Sequence, residues 1–127
     1  MCLGGLIKHV TLVENRWVSF IEEGPSAIGG FDPAALSAHT DSFRMQEDES
    51  LAGLLGAYGQ AAERTEAVVM GLDSLSVSHP LPEAPWFEAG ASWSARRVLL
   101  HILAETAQHA GHADILRESV DGARAMG

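Results

Sequence analysis

At 127 residues, 46% hydrophobic and 20% charged, the chain suits one globular domain over residues 1–127, and its apolar fraction excludes disorder. Its 17 Asp and Glu against 8 Lys and Arg give a formal charge of −9, which excludes sequence-independent grip on nucleic-acid phosphates or anionic membranes. A single cysteine, Cys2, leaves no disulfide to form within the chain and points to a reducing, cytoplasmic compartment.

The apolar run before Lys8 is too short for a signal peptide, and its positive charge follows the apolar residues rather than preceding them. Leu3, Leu6, Val10, Val13, Trp17 and Phe20 recur at alternating spacings of three and four. That pattern predicts a first helix, which Gly24-Pro25 stops. From there to Ser50 no period is sustained, so a long loop is expected, of a kind that is often functional or partly helical. Ser50, with acidic neighbours, is a natural N-cap for a second helix reaching about Leu72, with Leu51, Leu54, Leu55 and Tyr58 on its apolar face. A loop holding Pro80, Pro82 and Pro85 follows. A third helix opens near Ser92 or Ser94 and ends at Asp121-Gly122. Nothing alternates with period two for long, so no strands are expected. No stretch approaches the roughly 18–20 apolar residues that span a bilayer. The fold class is all-α, with three long helices.

The third helix carries the chemistry. At about 100° per residue, His101, Glu105, His109 and His112 fall within roughly 80° of one another. Val98, Ile115 and Leu116 share or adjoin that sector, while Leu99, Leu103 and Leu116 are expected to pack. Imidazole and carboxylate groups on a core-facing stripe need partners, because an unpaired buried polar group costs about 1–3 kcal/mol. A divalent metal is one such partner. Glu105 and His109, at i,i+4, project from one face a turn apart and can reach one ion. A third ligand must come from another helix, and His9, at the flank of the first helix's apolar band, is the natural candidate. By spacing alone, a surface ion pair or a hydrogen-bonded core histidine is the commoner outcome of such a pair.

A resemblance adds to that reading. The segment from Trp93 through Arg96-Arg97, His101, Glu105, His109, Gly111, His112 and Asp114 to Glu118 resembles the last bundle helix of the DinB-like superfamily. More narrowly, it resembles the branch of mini-circle proteins and of the metal-binding domain of mycothiol-dependent maleylpyruvate isomerase. Leu6-Ile-Lys-His9-Val through Glu14-Asn-Arg-Trp17 is similar to that branch's ligand-bearing second helix, and Asp41 to Asp73 is similar in layout. The resemblance implies a helical bundle with a His, Glu, His metal site, matched here by His9, Glu105 and His109. His112 matches a position that is commonly Gln and supports a ligand or faces substrate. His101 is read as packing or supporting, and His39 and His79 as loop residues. Family members open with a helix before the His-bearing one, so the bundle is expected to lack the first of four helices. The full isomerase also carries a C-terminal domain with no counterpart here, so isomerisation does not transfer directly.

Two functional classes follow. In the first, the protein is a metal-dependent enzyme holding zinc or nickel, a transferase or isomerase using a low-molecular-weight thiol such as mycothiol or bacillithiol. Its catalytic candidates are His112 and Arg97, placed to orient the thiol or a substrate carboxylate. A metal-dependent hydrolase would use the same ligands. In the second class the protein is a non-catalytic metal-binding or small-molecule-binding bundle. A homodimer is expected, because three helices leave a groove along the first and third. Either a second copy covers that groove or the loop from Gly24 to Glu49 does, with Ile28, Phe31 and Leu36 as plugs.

Overall fold

The computed structural model describes residues 1–124; the last three residues of the expected domain lie outside that range. The elements are α1 (Leu3–Glu23), a 3-10 turn (Pro25–Ala27), α2 (Pro33–Asp41), α3 (Leu51–Met70), β1 (Ser78–Pro80), β2 (Ser92–Ser94) and α4 (Ala95–Asp121). The three long helices stand where periodicity placed them, and their ends are set by local chemistry. Ser50 Oγ accepts from Gly53 N–H at 3.1 Å and Ser94 Oγ from Arg97 N–H at 3.1 Å, each meeting a donor that a helix start leaves unpaired. Gly24 (φ +86°) closes α1 and Gly122 (φ +72°) closes α4, in backbone regions that an L side chain resists.

Two expectations need correction. The connection after α1 is not all loop: Asp32 Oδ1 accepts from Ala35 N–H at 2.8 Å with Pro33 at the first position of α2, the ordinary start signal for a helix. Its brevity, nine residues, hid it from a search for sustained period. The second loop contains a strand pair, with Ser78 opposite Ser94 and His79 opposite Trp93, antiparallel. Three residues per strand are too few to show alternation. The ribbon delivers the chain to α4 through Ala95 N–H to Val77 C=O at 2.8 Å and Arg96 N–H to Leu75 C=O at 3.0 Å.

Helix α1 is the spine. It lies between α3 and α4, each of which packs on it rather than on the other. Gly4 meets Leu54 and Asn15 meets Arg64, so α3 runs parallel to α1. Leu3 sits beside Leu116, and Trp17 beside His101, so α4 runs antiparallel. The main core occupies one end of the bundle: Trp17, Val18, Phe20 and Ile21 of α1, Ile28 after the 3-10 turn, and Ala95, Val98 and Ile102 of α4.

The other end is more open. Leu103 is 64% exposed and Ile115 64%, so the expectation that Leu103 packs in the core is wrong. Helix α4 has apolar residues around more of its surface than α1 alone can cover. On α3, Leu51 and Leu55 are likewise exposed and Ala61 is the buried residue. A groove lined by Leu3, Ile7 and Val10 of α1, Tyr58 of α3, and Ala110 and Ala113 of α4 runs between the flanking helices. The Gly24–Glu49 connection does not enter it. Ile28 is buried in the core, Phe31 packs on Trp86, and Leu36 is exposed. Among the described residues no helix is long and apolar enough to cross a membrane.

Candidate metal centre

The site forms where the N-terminal half of α1 faces the middle of α4. His9 is buried at 3% exposure and His109 at 9%. One potential donor atom from each of His9, Glu105 and His109 lies within 4.8 Å of the other two. Two helices supply all three side chains, Glu105 and His109 from α4 and His9 from α1.

Gly5, one turn before His9, explains how His9 is held. A Cβ there would collide with the backbone carbonyl of Phe43, and one on Gly4 would press on Met45 Sδ. The two glycines let residues 43–45 lie directly on α1. That close approach seats two further groups on His9. Phe43 stacks on the imidazole, with ring centres 3.8 Å apart and planes at 18°. Ser42 Oγ lies 2.8 Å from His9 Nδ1.

The Ser42 contact fixes the histidine's tautomer. Ser42 donates its one hydroxyl proton to the carbonyl of His39 at 2.6 Å. Toward His9 the hydroxyl can then only accept, so Nδ1 of His9 carries the proton and Nε2 keeps its lone pair. Burial, followed by the charges of His109, His39 and Arg16, lowers the His9 pKa from 6.5 to about 4. The ring is thus neutral at ordinary pH, the form that binds metals.

On α4, Glu105 lies between two histidines, with His109 Nε2 at 3.4 Å from one carboxylate oxygen and His101 Nε2 at 3.7 Å from the other. His109 Nδ1 is 3.2 Å from His112 Nδ1, so His112 holds the back of the ring and leaves Nε2 toward Glu105. His101 packs edge-on against Trp17 at 5.0 Å, and burial lowers its pKa despite the adjacent Glu105.

The donor set fits a divalent ion. Bonds of about 2.0–2.2 Å to imidazole and carboxylate bring tetrahedral ligand atoms to roughly 3.4 Å apart. The donor atoms lie within 4.8 Å of one another, about 1.4 Å wider than that spacing. Three protein donors would leave such an ion a coordination position for a further ligand, as in catalytic rather than structural zinc sites.

Other sequence candidates lie elsewhere. Arg97 stacks over Trp93 with its guanidinium carbon 4.0 Å from the ring centre. It is about 12 Å of helix rise from Glu105 and is not gathered into the triad. His39 is on α2 rather than in a loop, and its ring meets His9 edge-on at 5.3 Å. His79 is on β1, with Nε2 3.0 Å from the carbonyl of Ile21. Ser42 and Phe43 were not anticipated at all. They follow α2 in the connection, and only the glycine pair on α1 hints that something must lie against it.

A family model, mycothiol-S-transferase, matches residues 1–122. The chain belongs to the mycothiol-S-transferase family. That family is part of the DinB-like superfamily, in agreement with the resemblance carried by the α1 and α4 motifs. Searches of the curated proteins and of the solved structures return no match. The family match spans both halves of the triad, His9 near its start and Glu105 and His109 near its end.

Proposed function

We propose that this protein is a metal-dependent transferase that joins mycothiol, through its sulfur, to an electrophilic small molecule, with His9, Glu105 and His109 as the ligands of one zinc or nickel ion. The observation that carries this reading is the meeting of three donor atoms within 4.8 Å while Ser42 keeps the His9 lone pair on Nε2. The family match supplies the thiol. A divalent ion in such a site lowers the pKa of a thiol or water that takes its open position.

The protein's own residues do the rest. Ser42 and Phe43 fix the His9 ring, His112 fixes His109, and His101 on the far side of Glu105 steadies the carboxylate. In the net reaction the thiol loses its proton to solvent. Its sulfur forms a bond to the acceptor carbon, and the leaving group departs with the electrons of the bond that breaks. Localisation in the cytoplasm and assembly as a homodimer over the groove between α3 and α4 belong to the same proposal. Light scattering at micromolar concentration checks the assembly, and a stable monomer there would refute it.

The deciding experiment follows consumption of an alkylating electrophile by the metal-loaded protein, with mycothiol, with bacillithiol and with neither. Turnover that requires mycothiol supports the transferase. Turnover without any thiol would replace it with a hydrolase, and no turnover in the presence of bound metal would favour a binding protein.

A further inference from the structure

Beside the triad lies a second feature that none of the three candidate ligands lines. A cavity of about 440 Å³ opens between the middle of α1, α2 and the loop before β2. That volume falls within the range of small-molecule sites. Its walls include Trp17, Phe31, Trp86 and Phe87, with Arg16 and His39 as the polar groups. The aromatic rings meet edge to face: Phe31 on Trp86 at 4.7 Å and Trp17 on Phe87 at 6.5 Å. Such a cluster presents ring faces and edges that receive another planar ring. Trp86 is 61% exposed, a large apolar surface left uncovered at the rim.

Arg16 is the second half of the argument. Among the described residues Lys8, Arg64, Arg117 and Arg124 have carboxylate partners, whereas Arg16, Arg44, Arg96 and Arg97 have none. Of these four Arg16 is the one on the cavity wall, while Arg97 stacks on Trp93 and Arg96 bonds Ser76. It lines the aromatic cavity, and its charge reaches His9. An unpaired guanidinium at an aromatic wall suits a planar anion such as a carboxylate.

The cavity also touches the triad's supports from two directions. His39 on its wall meets His9 edge-on at 5.3 Å. Trp17 meets His101 at 5.0 Å, and His101 lies 3.7 Å from Glu105. A molecule held there is one side chain, His39, away from His9 on α1 and two, Trp17 and His101, away from Glu105 on α4.

The geometry points to this cavity as the acceptor site, taking a substrate with a flat aromatic body and a carboxylate or similar anion that pairs with Arg16. Its role as acceptor site rests on the transferase reading; its binding preference does not. The test uses 2-naphthoate and its neutral counterpart 2-naphthamide as probes, with calorimetry on the full chain as purified and again after dialysis against EDTA. Naphthoate is expected to bind saturably, and Arg16→Gln to weaken it at least tenfold while changing naphthamide less than twofold. Phe31→Ala should weaken both probes together. Equal naphthoate affinity in wild type and Arg16→Gln would overturn the proposal. So would naphthoate binding that vanishes with EDTA, since the ion rather than the cavity would then be holding it. A chain that binds no metal but keeps the Arg16-dependent preference would sink the transferase reading alone.

Discussion

The two ends of the α1–α4 pairing differ sharply. Around Trp17, Phe20 and Val98 the helices enclose a dry cluster, with Phe20 at 1% and Val98 at 0% exposure. Around His9 and His109, about two to three turns away on each helix, the same pair encloses titratable groups beside an uncovered apolar groove. The first end holds the main core and the second gathers the candidate ligands. A polar cluster can stay in place on two helices because the dense end fixes their spacing, and residues 42–45 press on α1 from outside. Substitutions at the two ends should therefore separate stability from metal binding.

The largest stability effect should come from Phe20→Ala, which empties the dense end and costs about 3–5 kcal/mol by denaturant unfolding. At a temperature where the variant still folds, its metal content per chain should be unchanged. Loss of metal in parallel with stability would mean that the two ends are not separable.

Acid should act on the other end. His9 has its pKa lowered from 6.5 to about 4 by burial and by the charges of His109, His39 and Arg16. As pH falls below 6.5, the unfolded metal-free chain takes up this proton before the folded one does. The stability that the neutral buried ring contributes is complete above 6.5 and is lost as pH drops toward 4. The size is on the order of 2 kcal/mol. Urea unfolding of the metal-free protein across that window should show the loss, and His9→Gln should reduce the slope, leaving the part that buried His101 contributes in the same direction. A flat profile would mean that the ring is not buried neutral.

Ser42→Ala should lower metal affinity by about 10–100-fold, because the hydrogen bond that fixes the His9 tautomer is gone. Competition with a chelator reads this directly, and an unchanged affinity would remove Ser42 from the account. The smallest effect is expected at Leu103→Ala, less than about 0.5 kcal/mol in the monomer, since the side chain is mostly in water. A loss of several kcal/mol that depends on protein concentration would instead place Leu103 under a second copy.

These contrasts also mark where the sequence was legible. The long helices could be read because their signals are local: apolar spacing, Ser50 and Ser94 as caps, Gly24 and Gly122 as stops. Glu105 and His109 could be paired because one turn of helix joins them. His9 needed the resemblance to support its place, since it lies far from α4 in the chain. Ser42, Phe43 and the aromatic cavity with Arg16 were not legible. Each depends on a connection folding back over α1, and the permissive feature for the first two, a glycine pair, does not name what approaches it. Leu103 was misjudged for the converse reason. Apolar composition shows what a side chain prefers, whereas its burial depends on whether a neighbouring helix is there to cover it.

The central claim is that His9, Glu105 and His109 hold one ion, and counting metal per chain tests it most directly. Elemental analysis of the purified protein and of folded His9→Ala and His109→Ala variants should give close to one zinc or nickel per wild-type chain. Both variants should fall below about a tenth of that, since each removes one of only three protein ligands. Wild-type protein that takes up no divalent ion, or variants that keep the full complement, would contradict the account.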